Sequence, residues 1–376
     1  MRALGDHPLI LGAGPAGCAA AVELARAGHR PLLVDRNEDV GDPLCGGFMS
    51  WRTLAQLDAL GIATDDLGGQ QVDHLRIFAH GREVSAPLPQ PALGLSRRAL
   101  DTRMRQAALA KGARLEIDCV NGLSKGVAHG QRQDWSASTM FLATGKHDIR
   151  GESRPRRDSD PALGLRLRLP ASRQRTSLIG SAIELHLFRG GYAGIVLQEG
   201  GSANICLALR KSALAECGGT PAALLERLAE GSSALAARLG TDWQAHRIES
   251  IGAVPYGWIA RETAPGVYRL GDQAAVIPSL AGEGMSIAIA SGSMAARHWI
   301  AGGAAAAPAF QRAFAAQAHP PVQLARAARK LAESPIGAAA ALALARLLPG
   351  VVIDLAERCR IQPGIFRATC AHVRPC

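Results

Sequence analysis

Cysteine pairs are the first thing this sequence lacks. Its eight cysteines, Cys18, Cys45, Cys119, Cys206, Cys217, Cys359, Cys370 and Cys376, form no Cys-x-x-Cys pair and follow no secretory leader. A metal site and a disulfide framework are therefore both unexpected, and a reducing cytoplasm is the expected compartment. Aromatic residues are scarce too, at 4% of 376 residues, and no RNP-like aromatic motif, zinc pattern or extended basic helix occurs. The net charge of +10 thus reads as an arginine-rich surface and not as a nucleic-acid interface. Arg150, Arg154, Arg156 and Arg157 form one local cluster, suited equally to attracting an anionic substrate or carrier and to solvating a loop. No apolar run is long enough to cross a bilayer: the longest, Ile336 to Leu355, is broken by Arg346, Pro349, Gly350 and Asp354. It reads as a pair of packed helices, with peripheral membrane contact as the minor alternative.

What is present is a packed chain. Hydrophobic residues make up 48% and charged residues 20%, outside the range of disordered sequences. The length exceeds the roughly 250–300 residues at which single cores stop growing, so two domains, or one with an inserted sheet, are expected. Internal repeats and low-complexity linkers are absent from the sequence.

The most informative stretch comes first. An apolar PLILG run leads into GAGPAGCAAAVELARAGHRPLLVDR, which reads as strand, tight turn, helix, strand and acidic end. Gly12 makes the turn, Gly14 lets backbone approach a pyrophosphate, and Gly17 lets the helix pack closely on the strand, with Pro15 and Ala16 between them. An anion placed there meets the N–H groups and the positive end of a helix. Asp35, eighteen residues beyond Gly17 and followed by Arg36, stands where a carboxylate accepts hydrogen bonds from a ribose. A lone GxGxxG is weak, but here the strand, the helix and the acidic residue complete its context, so a dinucleotide is expected.

Three later stretches add detail. FLATG, with Ala143 and Gly145, reads as a buried strand ending in a small-residue turn, and VYRLGD reads as another strand ending at Gly271 and Asp272. A proline-containing loop with Pro278, Gly282, Gly284 and Met285 then opens a long helix. With these residues the chain resembles the FAD-dependent oxidoreductases of the p-hydroxybenzoate-hydroxylase and geranylgeranyl-reductase superfamily. The resemblance implies an α/β fold: a Rossmann-like FAD-binding domain of the GR2 type, with an inserted antiparallel-sheet substrate domain and C-terminal helices. It places the FAD ribityl chain on Asp272 and the pyrimidine side of the flavin at Gly282, Gly284 and Met285. Glu283, unusual in that segment, is expected to point to solvent. LSRRALD resembles the family's short segment that supplies an arginine to the phosphate side, by register Arg97.

The same resemblance explains LCGGFMS. Cys45, Gly46, Gly47 and Ser50 match a loop that runs beside the isoalloxazine ring, where glycines let the chain pass close under it. Cys45 is the candidate for direct chemistry, the plainer reading being a small thiol lining the pocket. From about 160 to 250, alternating segments such as SAIELHLF and GYAGIVLQ read as a half-buried antiparallel sheet. The resulting division assigns 1–75, 95–155 and 253–315 to the FAD-binding domain, 76–94 and 156–252 to the substrate sheet, and 316–376 to helices packed outside the flavin domain. Tyr192, Tyr256 and Trp258 are candidate substrate contacts, whereas His186 reads as an ordinary sheet or surface histidine. His147 and Asp148 are expected near the nucleotide.

The reading that follows is an FAD-dependent monooxygenase. NAD(P)H, bound transiently because no second GxGxxG occurs, would supply electrons, and O2 the oxygen, for hydroxylating a small hydrophobic or aromatic secondary metabolite. The alternative is reduction of C=C bonds in an isoprenoid or polyene, which the Cys-Gly-Gly loop favours. A halogenase loses ground for want of W-x-W-x-I-P, and a non-enzymatic flavin protein is the remaining reading.

Overall fold

A computed structural model describes residues 2–3, 5, 7–124, 126–155 and 158–361; Arg156, Arg157, Cys370 and Cys376 lie outside the described residues. The hydrophobic runs near the N-terminus become strand Leu9–Leu11 and strand Leu32–Asp35, joined by helix Pro15–Arg26. They sit in a five-stranded, all-parallel sheet with Arg114–Ile117 beyond Leu32–Asp35, and with Met140–Leu142 and Val267–Arg269 on the other side. Continuous burial of Leu9, Ile10, Leu11, Leu32, Leu33 and Val34 is what a parallel sheet covered on both faces requires. Helix Pro15–Arg26 covers one face together with the long helix Gly284–Gly302. The other face is covered by a small four-stranded sheet that brings Trp135, Ala128 and Leu123 onto Leu9, Leu11 and Val34.

The second body is an eight-stranded sheet. Its order runs through strands Ile248–Val254, Ala162–Leu169, Ala203–Arg210, Gly191–Leu197, Ala182–Phe188, Gln70–Ala79, Arg82–Gly94 and Phe48–Met49. All pairings are antiparallel except that between Ala182–Phe188 and Gln70–Ala79, which is parallel. Helices Pro221–Gly231 and Ser233–Leu239 bury Leu224, Leu225, Leu235 and Leu239 on one face with Ile195, Ile205 and Leu207. The opposite face turns toward the parallel sheet and encloses the cavity described below.

Two sequence expectations need redrawing. Strand Gln70–Ala79 belongs to the second sheet over its whole length, so we propose to place the join at Gln70 and not at 75/76; a bulge between Val72 and His74 breaks the alternation that would have marked it. The C-terminal helices do not all pack on the flavin side. Helix Ala307–Ala332 does, setting Phe310 against Tyr268 and stacking Phe314 on Phe310. Helix Pro335–Leu347 instead lies on the second sheet, with Ala338 and Leu342 against Ala79, Ile77, Val84 and Leu187.

Candidate functional site

The carboxyl ends of the parallel strands converge on one cavity of about 1030 Å³, at the upper end of ligand-pocket sizes. Gly12 ends the first strand with φ +110, and a Cβ there would stand 2.5 Å from the Ala143 carbonyl oxygen. A Cβ on Gly17 would meet the Gly12 carbonyl at 2.0 Å. The turn is therefore closed to any side chain, which is the close helix–strand packing that the motif implies. Gly14 caps helix Pro15–Arg26 without any side-chain hydrogen bond, so the first-turn N–H groups are left for a ligand anion. Asp35 lies beside them: its Oδ2 accepts from Ala13 N at 2.7 Å and its Oδ1 from Asn37 N at 3.0 Å. Arg105, a residue the sequence reading missed, approaches Asp35 at 3.6 Å and donates to the carbonyls of Asn37 and Glu38.

Arg97 reaches over the same turn. Its guanidinium makes a fork to Asp101, 2.8 Å from Nε and 2.6 Å from Nη2, while Nη2 lies 3.5 Å from where a Gly14 Cβ would be. Burial opposes the charge, but Asp101 outweighs it and raises the Arg97 pKa. Arg36 meets the His147 ring at 2.9 Å; burial first, then the neighbouring Arg36, Arg154 and Lys146 charges, lowers the His147 pKa and favours a neutral acceptor.

Asp272 and Gly145 line the cavity from the neighbouring strand ends. The loop between them is tied by groups without a sequence signature. Arg154 donates to the Asp272 and Lys146 carbonyls, and Gln273 donates to those of Gly145 and His147 at 2.9 Å each. Gly282, Gly284 and Met285 also line the cavity, whereas Pro278 stands behind them as the cap of the short turn Ser279–Ala281. Glu283 does not face solvent: it is 1% exposed, with Arg360 Nε at 3.3 Å. Burial pushes its carboxyl up to about 7 despite that partner. The C-terminal helix that delivers Arg360 folds over this end, a contact that local sequence could not announce.

The Cys45 loop is held from three sides. Asn204 Nδ2 donates to the Cys45 and Gly46 carbonyls at 3.0 and 2.8 Å, Lys146 Nζ to the Leu44 carbonyl at 2.8 Å, and Arg166 Nη2 to the Asp42 carbonyl at 2.7 Å. The two glycines differ. Gly47 has φ +72 and a Cβ would fall 1.9 Å from Gln198 Nε2, whereas Gly46 has open space. The half-buried Cys45 thiol lies 3.3 Å from Met285 Sδ and accepts from Gly47 N, so the loop and the start of the long helix meet at this sulfur.

Beyond it the cavity is walled by the second sheet, with Leu75, Leu88, Ile183, Leu185 and Ala208 as apolar lining. Tyr192 and Tyr256 line it as well. The Tyr192 hydroxyl is buried beside Ser279 and Tyr256, and that of Tyr256 is hydrogen-bonded to the same serine. Burial raises both phenols, Tyr256 to about 12, and raises the neighbouring Cys206 thiol to about 12. All three are proton-bearing at neutral pH. Trp258 does not line the cavity: it packs against the cluster of Ala162, Val254 and Val276. His186 is no surface residue. It is 4% exposed, stacks on Phe78 and contacts Glu184 at 3.2 Å, and Glu184 is gripped by Arg238 and Arg76. Alternation puts this group on the sheet face opposite Ile183 and Leu185.

The residues present fit an extended dinucleotide. The cavity continues from Asp35 and Arg97 past Ala143, Gly145 and Asp272 to Met285.

Comparison with known proteins agrees. A family profile described as an FAD binding domain matches residues 7–119. The menaquinone reductase of Mycolicibacterium smegmatis is 34% identical over 116 residues, 29% of this chain and 28% of that protein. The chain thus aligns with less than a third of the length of the first curated relatives. Among solved structures, PqsL of Pseudomonas aeruginosa, described as a probable FAD-dependent monooxygenase, superposes with TM-score 0.70 at 17% identity, over 89% of this chain and 99% of that one. A geranylgeranyl bacteriochlorophyll reductase-like protein from Thermoplasma acidophilum gives TM-score 0.70 at 18% identity, over 95% and 100%. At such identities these two likenesses show the fold.

Proposed function

We propose that the chain is an FAD-dependent oxidoreductase of the p-hydroxybenzoate-hydroxylase and geranylgeranyl-reductase superfamily, and within it a monooxygenase acting on a small, largely apolar aromatic substrate; the FAD binding domain profile over residues 7–119 and the shared fold support this reading. Bound FAD would supply the redox chemistry, with NAD(P)H as transient donor and O2 as oxidant. The chain's own residues do the holding. The Gly12–Gly17 turn and its helix end take the pyrophosphate, Asp35 the adenosine ribose, Arg97 the phosphate side and Asp272 the ribityl hydroxyls. The N-terminus of helix Gly284–Gly302 favours negative charge on the pyrimidine side of a reduced ring. Cys45 and Gly47 form the floor beside that ring.

The observation that carries the reading is the buried Tyr192 hydroxyl, beside Ser279 on the wall of a largely apolar chamber. A phenolic substrate would extend that hydroxyl contact while filling the space between Leu75, Ile183 and Leu185. Tyr256 and Ser279 add a second hydroxyl pair able to accept and pass on a substrate proton. Oxygen uptake tests the proposal: phenolic substrates should stimulate uptake matched mole for mole by hydroxylated product, and Tyr192→Phe should raise KM for phenols more than for their methyl ethers. Uptake that stays uncoupled from product with every phenol tried would sink it.

A second reading, reduction of a C=C bond, is favoured by the reductase names of the curated relatives and by three proton-bearing side chains around the chamber. It predicts saturation of a polyene under anaerobic conditions, with no oxygen consumed.

A further inference from the structure

Helix Pro335–Leu347 reads PIGAAAALALARL, without a charge before Arg346. One side, with Gly337, Ala338, Leu342 and Ala345, is buried on the second sheet. The other side is apolar as well: Ile336, Ala340, Ala343, Leu344 and Leu347 recur at helical spacing, and all are exposed. Ile336 is 84% exposed and Leu347 76%. Six of the eight large hydrophobic residues exposed among the described residues fall between Leu331 and Val351. A helix apolar all round belongs inside a protein or against lipid, and contiguous exposed apolar surface marks an interaction site.

The charges beside the stripe choose the partner. Lys330 and Arg346 flank it, both exposed and neither in an ion pair among the described residues, while the exposed Asp354 is already paired with Arg358 at 2.8 Å. With a net charge of +10, a second copy brought onto this face would meet like charge. An anionic bilayer surface complements both the apolar stripe and its cationic flanks. Thirteen residues span about 20 Å, short of the roughly 30 Å hydrocarbon core, so the helix would lie in the interface and not cross it. The next helix, Pro349–Arg358, and the residue after its cap contribute Ala356 and Arg360 to the lining of the cavity.

We propose that this stripe docks on the surface of an anionic phospholipid bilayer, placing the cavity beside the membrane from which an apolar substrate is drawn. The surface claim does not depend on whether the enzyme hydroxylates or reduces. Flotation of the full-length, flavin-loaded protein with vesicles tests it. The protein should float with phosphatidylglycerol–phosphatidylethanolamine vesicles, less with phosphatidylcholine alone, and less as salt is raised. Ile336→Ser and Leu347→Ser, both at exposed positions and therefore expected to fold, should each weaken partitioning roughly tenfold. Arg346→Glu should weaken it roughly fivefold at low salt. Leu109→Ser, at an exposed leucine elsewhere, should leave flotation unchanged. Failure to float with anionic vesicles would overturn the proposal, as would serine variants that float like the parent. So would a dimer that those variants dissociate without any effect on lipid binding, since the stripe would then join two copies.

Discussion

The two walls of the cavity are built from different materials. The wall over the parallel sheet is backbone: Gly12, Gly17 and Gly271 come so close to Ala143, Gly12 and Ala16 that a Cβ has no room or barely room. The wall under the second sheet is side chain: Leu75, Ile183, Tyr192, Cys206 and Ala208 come from four strands whose own pairing does not depend on them. A dinucleotide's phosphates and sugars are recognised by N–H groups and a few carboxylates, which demand one geometry. An apolar substrate is recognised by shape, which many side-chain sets can supply.

That difference orders the expected effects of mutation. The largest should come from Gly17→Val, which forces side-chain atoms onto the Gly12 carbonyl; we expect insoluble or colourless protein, checked by flavin absorbance of the soluble fraction. Arg97→Ala comes next. It leaves the buried Asp101 without its fork partner, a change worth about 3–5 kcal/mol for buried pairs; denaturant unfolding should show the loss, and flavin affinity should fall with it. If either variant kept full stability and full flavin, the backbone wall would not be the rigid half.

Glu283, buried against Arg360 at the start of helix Gly284–Gly302, gives a pH signature. Its folded pKa is raised from the ordinary 4.5 to about 7, so the folded protein holds a proton that the unfolded chain has released. Stability should therefore fall as pH rises from about 4.5 to 7 and level off above. Other groups facing this carboxyl are Arg360, Ser50, Ser286 and Glu357, so the comparison with Glu283→Gln isolates the slope: in that variant the fall between these pH values should shrink by up to one proton. Unfolding curves taken across the range decide it.

Smaller effects belong to the side-chain wall. Asn204→Ala removes its own two hydrogen bonds to the Cys45 loop, leaving those of Lys146 and Arg166, and should lower turnover by about tenfold, with flavin content kept, as expected for two hydrogen bonds of about 1 kcal/mol each acting mainly through positioning. Trp258→Phe should leave KM within about twofold, because the indole packs behind the cavity; steady-state kinetics would show otherwise if it touched substrate.

The contrast also explains how much was legible beforehand. Gly12, Gly14, Gly17, Asp35 and Asp272 are fixed by local chain geometry, and local geometry leaves a spacing. Asn204, Gln273 and Arg105 act from remote elements on backbone carbonyls, and such contacts leave no spacing at all. Glu283 was misread because its burial depends on Arg360, 77 positions later. Trp258 was misplaced because a glycine-rich bend does not say which way an indole turns, and the choice between sheet and surface for His186 stayed open because the same alternation serves a solvated and a helix-covered face. The seat of helix Pro335–Leu347 was missed because it is apolar on both sides.

The measurement that tests the central claim most directly is the identity and amount of cofactor released by acid from the purified, folded chain. The account predicts FAD, about one per chain, lost or sharply reduced in Asp272→Ala. A folded chain that is colourless and takes up no added FAD would contradict it.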